Sequence, residues 1–351
     1  MLAEASTEID ALLAESLLSQ PLADAERQAW RARIDDWADA TMRLSISDTA
    51  LETWWEYAPL VAAMQGNITE QGAWEGERPD CADELACVRL RILERQGRLS
   101  EYLNLAQAEG ELVLYLLKLI EMEEIELAVS EAIAYLGAPS EVLAVAQALA
   151  AKNYRREALA VAASGLDLTY PYEMAALARW ITPLASKEGD HALALRAATV
   201  AFRQGGHLLA DYKSAERVAG AAWPAVKQEL LDSLKQARSF HAVDIYLYEQ
   251  MLVEAMAEVS RSGYSPDLDR VVEATRADYP DWGIQQCKRH AERIMNEGKS
   301  KYYQGAIDWL RRARDIYAQH NRLAEWQPYL TGLLDAHTRK YKLVPMLETL
   351  Q

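Results

Sequence analysis

An all-α fold is what this sequence predicts, a tetratricopeptide-like solenoid of antiparallel helix pairs behind a less regular helical lead-in. Three observations carry the expectation. The apolar residues are mostly Ala and Leu, mixed with many Glu, Arg and Gln, while Phe occurs only twice. These are helix formers, because unbranched side chains lose little rotamer freedom against the preceding turn. Apolar residues also recur at helical spacing in blocks of about a dozen, set apart by short Gly and Pro turns. Finally, the blocks resemble one another.

Residues 1–80 form the lead-in, acidic on balance, weaker in periodicity and carrying Trp30, Trp37, Trp54, Trp55 and Trp74. Trp54 and Trp55 cannot both face inward on one helix, so one of them is expected to touch the next element or a partner. Gln65-Gly66-Asn67, Gly72, Gly76 and Arg78-Pro79-Asp80 have loop chemistry and place a boundary before Cys81. Residues 81–351 then read as a degenerate tetratricopeptide-like array. Its turn signals stand at Gly97, Gly110, Gly137-Ala138-Pro139, Gly165, Gly189-Asp190 and Gly205-Gly206. Pro139, ahead of Ser140 and Glu141, ends one helix and opens the next, as do Tyr170-Pro171-Tyr172 and Tyr264-Ser265-Pro266-Asp267. The pairs Ala158-Leu159 and Ala192-Leu193 lie 34 residues apart, and the pattern returns in Ile125–Ile133 and Tyr303–Tyr317. Small residues such as Ala128, Ala158, Ala192 and Ala306 are expected where the second helix of a pair approaches the first. The spacing falls to 30 residues between Ala128 and Ala158, which makes the repeats degenerate.

A formal net charge of −16 argues against a protein whose whole surface coats nucleic acid or an anionic membrane. No stretch approaches the roughly 18 to 20 apolar residues of a membrane span, and the first residues lack the basic lead and cleavage site of a signal peptide. Three cysteines, Cys81, Cys87 and Cys287, are too few for a disulfide framework, which fits a reducing compartment. A cytoplasmic protein with no membrane partner is the expectation.

No catalytic, cofactor or metal site is expected. The six histidines lack the spacing that puts two metal ligands on one helical face, and Cys81 and Cys87 fall on different faces of a helix. Neither phosphate-cradling glycine motif occurs, and Ser164-Gly165 and Ser262-Gly263 lack the flanking glycine of a nucleophile elbow. Acidic pairs such as Asp35-Asp36 and Glu123-Glu124 read as solvated helix faces. One charge feature stands out. Lys288, Arg289, His290, Arg293, Lys299 and Lys301, then Arg311, Arg312 and Arg314, then His337, Arg339, Lys340 and Lys342 make the C-terminal quarter locally basic, interleaved with Tyr302, Tyr303 and Tyr341. Such a stripe either meets phosphates or an acidic protein segment, or it pairs with carboxylates on adjacent repeats. Arg311, Arg312, Arg314, Arg339, Lys340 and Lys342 are the candidate contact residues. Trp309 stands where the repeat pattern expects a packed residue.

Ala306–Tyr317, Glu325–Leu330 and His337–Leu347 together resemble the end of bacterial SWIM zinc-finger proteins, and Ala82–Arg98 continuing into Glu101–Ala106 resembles the helical region that follows the finger in that family. The likeness covers most of the chain but not the finger, since neither Cys-x-Cys nor Cys-x-His occurs. The resemblance therefore implies a helical-repeat part without its zinc. Together these readings predict a non-catalytic scaffold that binds a partner protein through its concave face; the alternative is a nucleic-acid-associated module using the basic stripe. A small-molecule substrate is not expected.

Overall fold

The computed structural model describes residues 2–37, 44–169, 172–237, 239–261 and 266–351. Residues 170–171 and 262–265, and with them parts of two of the expected turns and Ser262-Gly263, lie outside the described residues. Every regular element among the described residues is helical, with no strand, and none of these helices is long and apolar enough to cross a membrane. The chain divides into two compact units, Met1–Gln204 and Gly205–Gln351.

The first unit begins with α1 (Leu2–Leu18), α2 (Asp24–Trp37), α3 (Ser45–Glu52) and α4 (Ala58–Met64). Leu44 precedes α3 and has no side chain that can cap it. The cap comes from α1 instead: the Ile46 and Ser47 N–H groups donate to the two Asp10 carboxylate oxygens at 2.8 and 2.9 Å, and the Ser47 hydroxyl donates to the same carboxylate. Asp10 is buried, and the positive end of the helix dipole supplies the charge that offsets it. Trp54 and Trp55 stand beyond the end of α3, so the geometry of one helix does not constrain them. Trp54 is buried beneath Arg27, and the Trp55 indole N–H donates to the Leu18 carbonyl at 2.9 Å. Both tryptophans are thus engaged by other elements of the chain, although not from within one helix as the expectation supposed.

The core of this region runs through Ala14, Leu18, Ile46, Leu51 and Trp74 into Cys81, Leu85, Val88 and Ile92, so residues on both sides of position 80 share it. Arg89 lies among them at 1% exposure. Its Nη2 donates to the Thr53 carbonyl and hydroxyl, its guanidinium lies 5.8 Å from the Trp74 ring centroid, and its Nε is buried without a partner. Burial pushes its pKa down to about 10, against the pull of Glu109. Glu109 in turn clasps the glycine-rich segment, accepting from the Ala73 N–H at 3.0 Å and the Trp74 indole N–H at 2.9 Å.

From there the first unit continues as helix pairs: α5 (Ala82–Arg95) with α6 (Leu99–Glu109), α7 (Leu112–Glu121) with α8 (Ile125–Tyr135), α9 (Pro139–Ala151) with α10 (Arg155–Gly165), and α11 (Met174–Glu188) with α12 (His191–Gln204). First helices pack on first helices, α7 on α9 and α9 on α11, and α8 packs on α10. Many turns share one device, a residue in the left-handed region at Gly97, Gly110, Glu123, Asn153 and Gly189. The N–H of the next residue reaches back to a carbonyl in the last helical turn, for example Glu124 to Leu119 and Tyr154 to Leu149, a Schellman closure. Before α9 the device differs: Pro139 takes the first helical position and the Glu141 carboxylate accepts from the Ala138 N–H at 3.2 Å.

Small residues line the packed faces of the second helices: Ala128 and Ala132, then Ala158, Ala162 and Gly165, then Ala194, Ala198 and Ala201. Ala192 is exposed, which corrects the expected register by two residues; Ala194 is the true counterpart of Ala158. Gly165 marks the tightest approach, where a Cβ would sit 2.7 Å from both Leu177 Cδ2 and Val142 Cγ1.

The second unit comprises α13 (Leu209–Ala219), α14 (Trp223–Ala237), α15 (Ala242–Tyr248), α16 (Leu252–Arg261), α17 (Leu268–Thr275), α18 (Pro280–Asn296), α19 (Tyr303–Gln319), α20 (Leu323–Ala336) and α21 (Val344–Glu348). The long helices α18 and α19 pack along their lengths. Ala306 is buried on α19, and Trp326 on α20 is fully enclosed, its indole N–H donating to the Leu350 carbonyl.

Candidate functional site

In each unit a concavity brings polar and apolar groups together. In the first unit, α8 buries little beyond Ala128 and Ala132 and leaves Leu127, Ile133 (47% exposed) and Tyr135 (66% exposed) outward, with Met122 just before it. Beside it runs an open groove of about 700 Å³ lined by Glu123, Glu124, Ile125, Glu126, Val129, Ser130, Tyr154 and Glu157. Residues 126, 129, 130 and 133 follow helical spacing, so Ile133 extends the groove wall along one face of α8.

The charges here are uncompensated. No described Lys, Arg or His forms an ion pair with Glu123, Glu124, Glu126, Glu131 or Glu157, whereas nearby acids are paired: Glu121 with Lys118, Glu188 with Arg155 and Asp167 with Arg196. Lys152 spends its ammonium on the Glu121 carbonyl at 2.8 Å. Between Lys118 and Lys152 the sequence has no basic residue and several glutamates, Glu123, Glu124, Glu126 and Glu131 among them.

In the second unit a smaller cleft, about 400 Å³, is lined by Asp269 of α17, His290 and Arg293 of α18, and Asp308, Trp309 and Arg312 of α19. Trp309 is half-exposed here rather than packed as expected, its ring 5.1 Å from that of His290 and the Arg312 guanidinium 4.9 Å from its centroid. Burial, then Arg293 and Arg289, hold the His290 imidazole below its ordinary value. Its neutral form is favoured by folding, so the stabilisation is complete above the ordinary value of 6.5 and is lost as the pH falls from there through the lowered one. The free energy of opening of α18 and α19, taken from hydrogen exchange after correction for the intrinsic rate at each pH, should fall over that window, and His290→Gln should flatten the dependence; an unchanged slope in that variant would assign it to other groups.

The six candidate cations are spread over this unit. Arg311 pairs with Asp308 at 3.0 Å, and Arg312 lies 3.7 Å from Asp269. Arg314 donates to the Gln351 carbonyl at 3.3 Å, and Lys340 to the Met295 carbonyl at 2.5 Å. Arg339 and Lys342, flanking the exposed Tyr341, make no ion pair with a described carboxylate. Lys288 is taken up by aromatic contacts, its ammonium 3.9 Å from the Tyr329 centroid.

Among the described residues no group of three or more His, Cys, Asp or Glu side chains could hold a metal ion. The three thiols are free; Cys81 and Cys287 are buried, and burial pushes Cys287 up to about 12, far from a reactive thiolate. No protein-family model matches the chain, and no curated protein matches it.

Proposed function

We propose that the protein is a non-catalytic binding scaffold, its helix pairs forming a tetratricopeptide-like solenoid that holds a partner protein. The observation that carries this reading is the surface of α8, where exposed Leu127, Ile133 and Tyr135 share one helix whose packing within the unit is confined to small residues. Ile133 lies on the groove side of α8 with half-exposed Val129, while Leu127 and Tyr135 project elsewhere from the same helix, and repeat proteins bind partners across such helix surfaces. The likeness to the helical part of SWIM zinc-finger proteins fits the same reading, with the finger supplied by a partner. Arg339, Tyr341 and Lys342, exposed together, favour a second reading in which this corner contacts phosphates.

Cross-linking of the full chain in its own cells, followed by reconstitution from purified components, tests the first reading. A stoichiometric complex with one protein supports it. Failure of every cross-linked candidate to re-form a complex, together with salt-sensitive DNA binding that Arg339→Glu and Lys342→Glu abolish, would replace it with the second.

A further inference from the structure

We propose that the groove between α8 and α10 is the docking site for a basic amphipathic segment of a partner protein, lysines or arginines meeting the glutamates and apolar residues covering Val129 and Ile133. The inference rests on the scaffold reading above and names its site and the chemistry of its occupant.

Charge complementarity selects that occupant. Glu123, Glu124 and Glu126 stand at the start of α8 and Glu157 in the first turn of α10. The amide dipoles at those helix starts explain why the carboxylates are tolerated without cations. They do not explain the apolar groups between them. Ile125, Val129 and Tyr154 line the groove and remain half-exposed, with Ile133 beyond them. Acidic groups around an apolar strip repel phosphate and fit the pattern of a basic helix laid into a groove, with apolar anchors three and four residues apart and cations on its flanks. The opening of about 700 Å³ accommodates several side chains, too large for a single ion. The helices α10 and α12 supply the contrast: there Arg155 and Arg196 are already neutralised by Glu188 and Asp167, whereas the groove glutamates face apolar groups and no paired cation.

The test uses the full chain and a fluorescein-labelled synthetic peptide of leucines and lysines at helical spacing, read by anisotropy. Two further peptides carry glutamate in place of every lysine, or serine in place of every leucine. Because the chain is acidic throughout, the control is a charge reversal of equal kind elsewhere, Asp35→Lys with Asp36→Lys. Binding of the leucine–lysine peptide at micromolar concentration is expected. Glu123→Lys, Glu124→Lys and Glu126→Lys combined should weaken it at least tenfold, Ile133→Ser several-fold, and the control less than twofold. All the substituted positions are exposed, so circular dichroism should be unchanged. Equal loss in the groove and control variants, equal binding of the serine peptide, or no binding would overturn the inference, as would groove-dependent self-association in sedimentation. None of those results touches the reconstitution experiment, so the groove can fall while the scaffold stands.

Discussion

Asp10→Ala should destabilise the first unit by about 3 kcal/mol, enough to lower the folded-to-unfolded ratio more than a hundredfold. The carboxylate is 1% exposed and accepts from two N–H groups of α3 and the Ser47 hydroxyl. Truncation strands the two N–H donors, while the Ser47 hydroxyl keeps the Asp10 main-chain carbonyl at 3.0 Å, and each buried donor left without an acceptor costs about 1 to 3 kcal/mol before relaxation. Asp10→Asn retains one acceptor and should lose about half as much. Urea unfolding followed by the fluorescence of Trp54 and Trp74, which share that core, measures the difference. A midpoint for the alanine variant within experimental error of the parent would show that water or Ser45 replaces the cap.

The second large effect is expected at Gly165, where Gly165→Val should cost about 2 to 4 kcal/mol through overpacking. A helical glycine ordinarily gains about 1 kcal/mol on replacement by alanine. Here the added methyl would meet Val142 Cγ1 and Leu177 Cδ2, each at 2.7 Å, on the two helices that flank α10. The decisive comparison is a double-mutant cycle of Gly165→Ala with Val142→Ala. Removing the opposing methyls should make the glycine replacement more favourable by at least about 1 kcal/mol. Strict additivity would mean that α9 and α11 move apart freely and that the contact is not what fixes their spacing.

The helical class was legible because propensity and punctuation agree over long stretches. Gly97, Gly110 and Gly189 announced their turns, since glycine adopts the left-handed conformation without steric cost. Glu123, Asn153, Gln250 and Asn321 adopt it too, and nothing in their identity distinguishes Glu123 or Gln250 from helix interior. The α7–α8 turn was therefore invisible, and with it the exposed face of α8. The recurring Ala-Leu pair points to Ala192, while burial, which falls on Ala194, depends on how α12 rotates against α11. Glu123-Glu124 looked like any solvated acidic pair. What sets it apart is that Glu157 of α10, and not a cation, lines the same groove, which no local pattern reports. Asp10 left one trace, the missing capping side chain at Leu44, which signals that a cap must arrive from elsewhere.

Arg89 ties the beginning of the chain to the helix pairs in a way that bears on how such a protein could be shortened or recombined. Its Nη2 acceptors both belong to Thr53, and its ring contact is Trp74. A fragment starting at residue 81 would expose Leu85, Val88 and Ile92 and carry a guanidinium that had lost those partners. Residues 1–80 are accordingly a built-in end cap for the helix pairs, and the two stretches can be inherited or transplanted only as one piece.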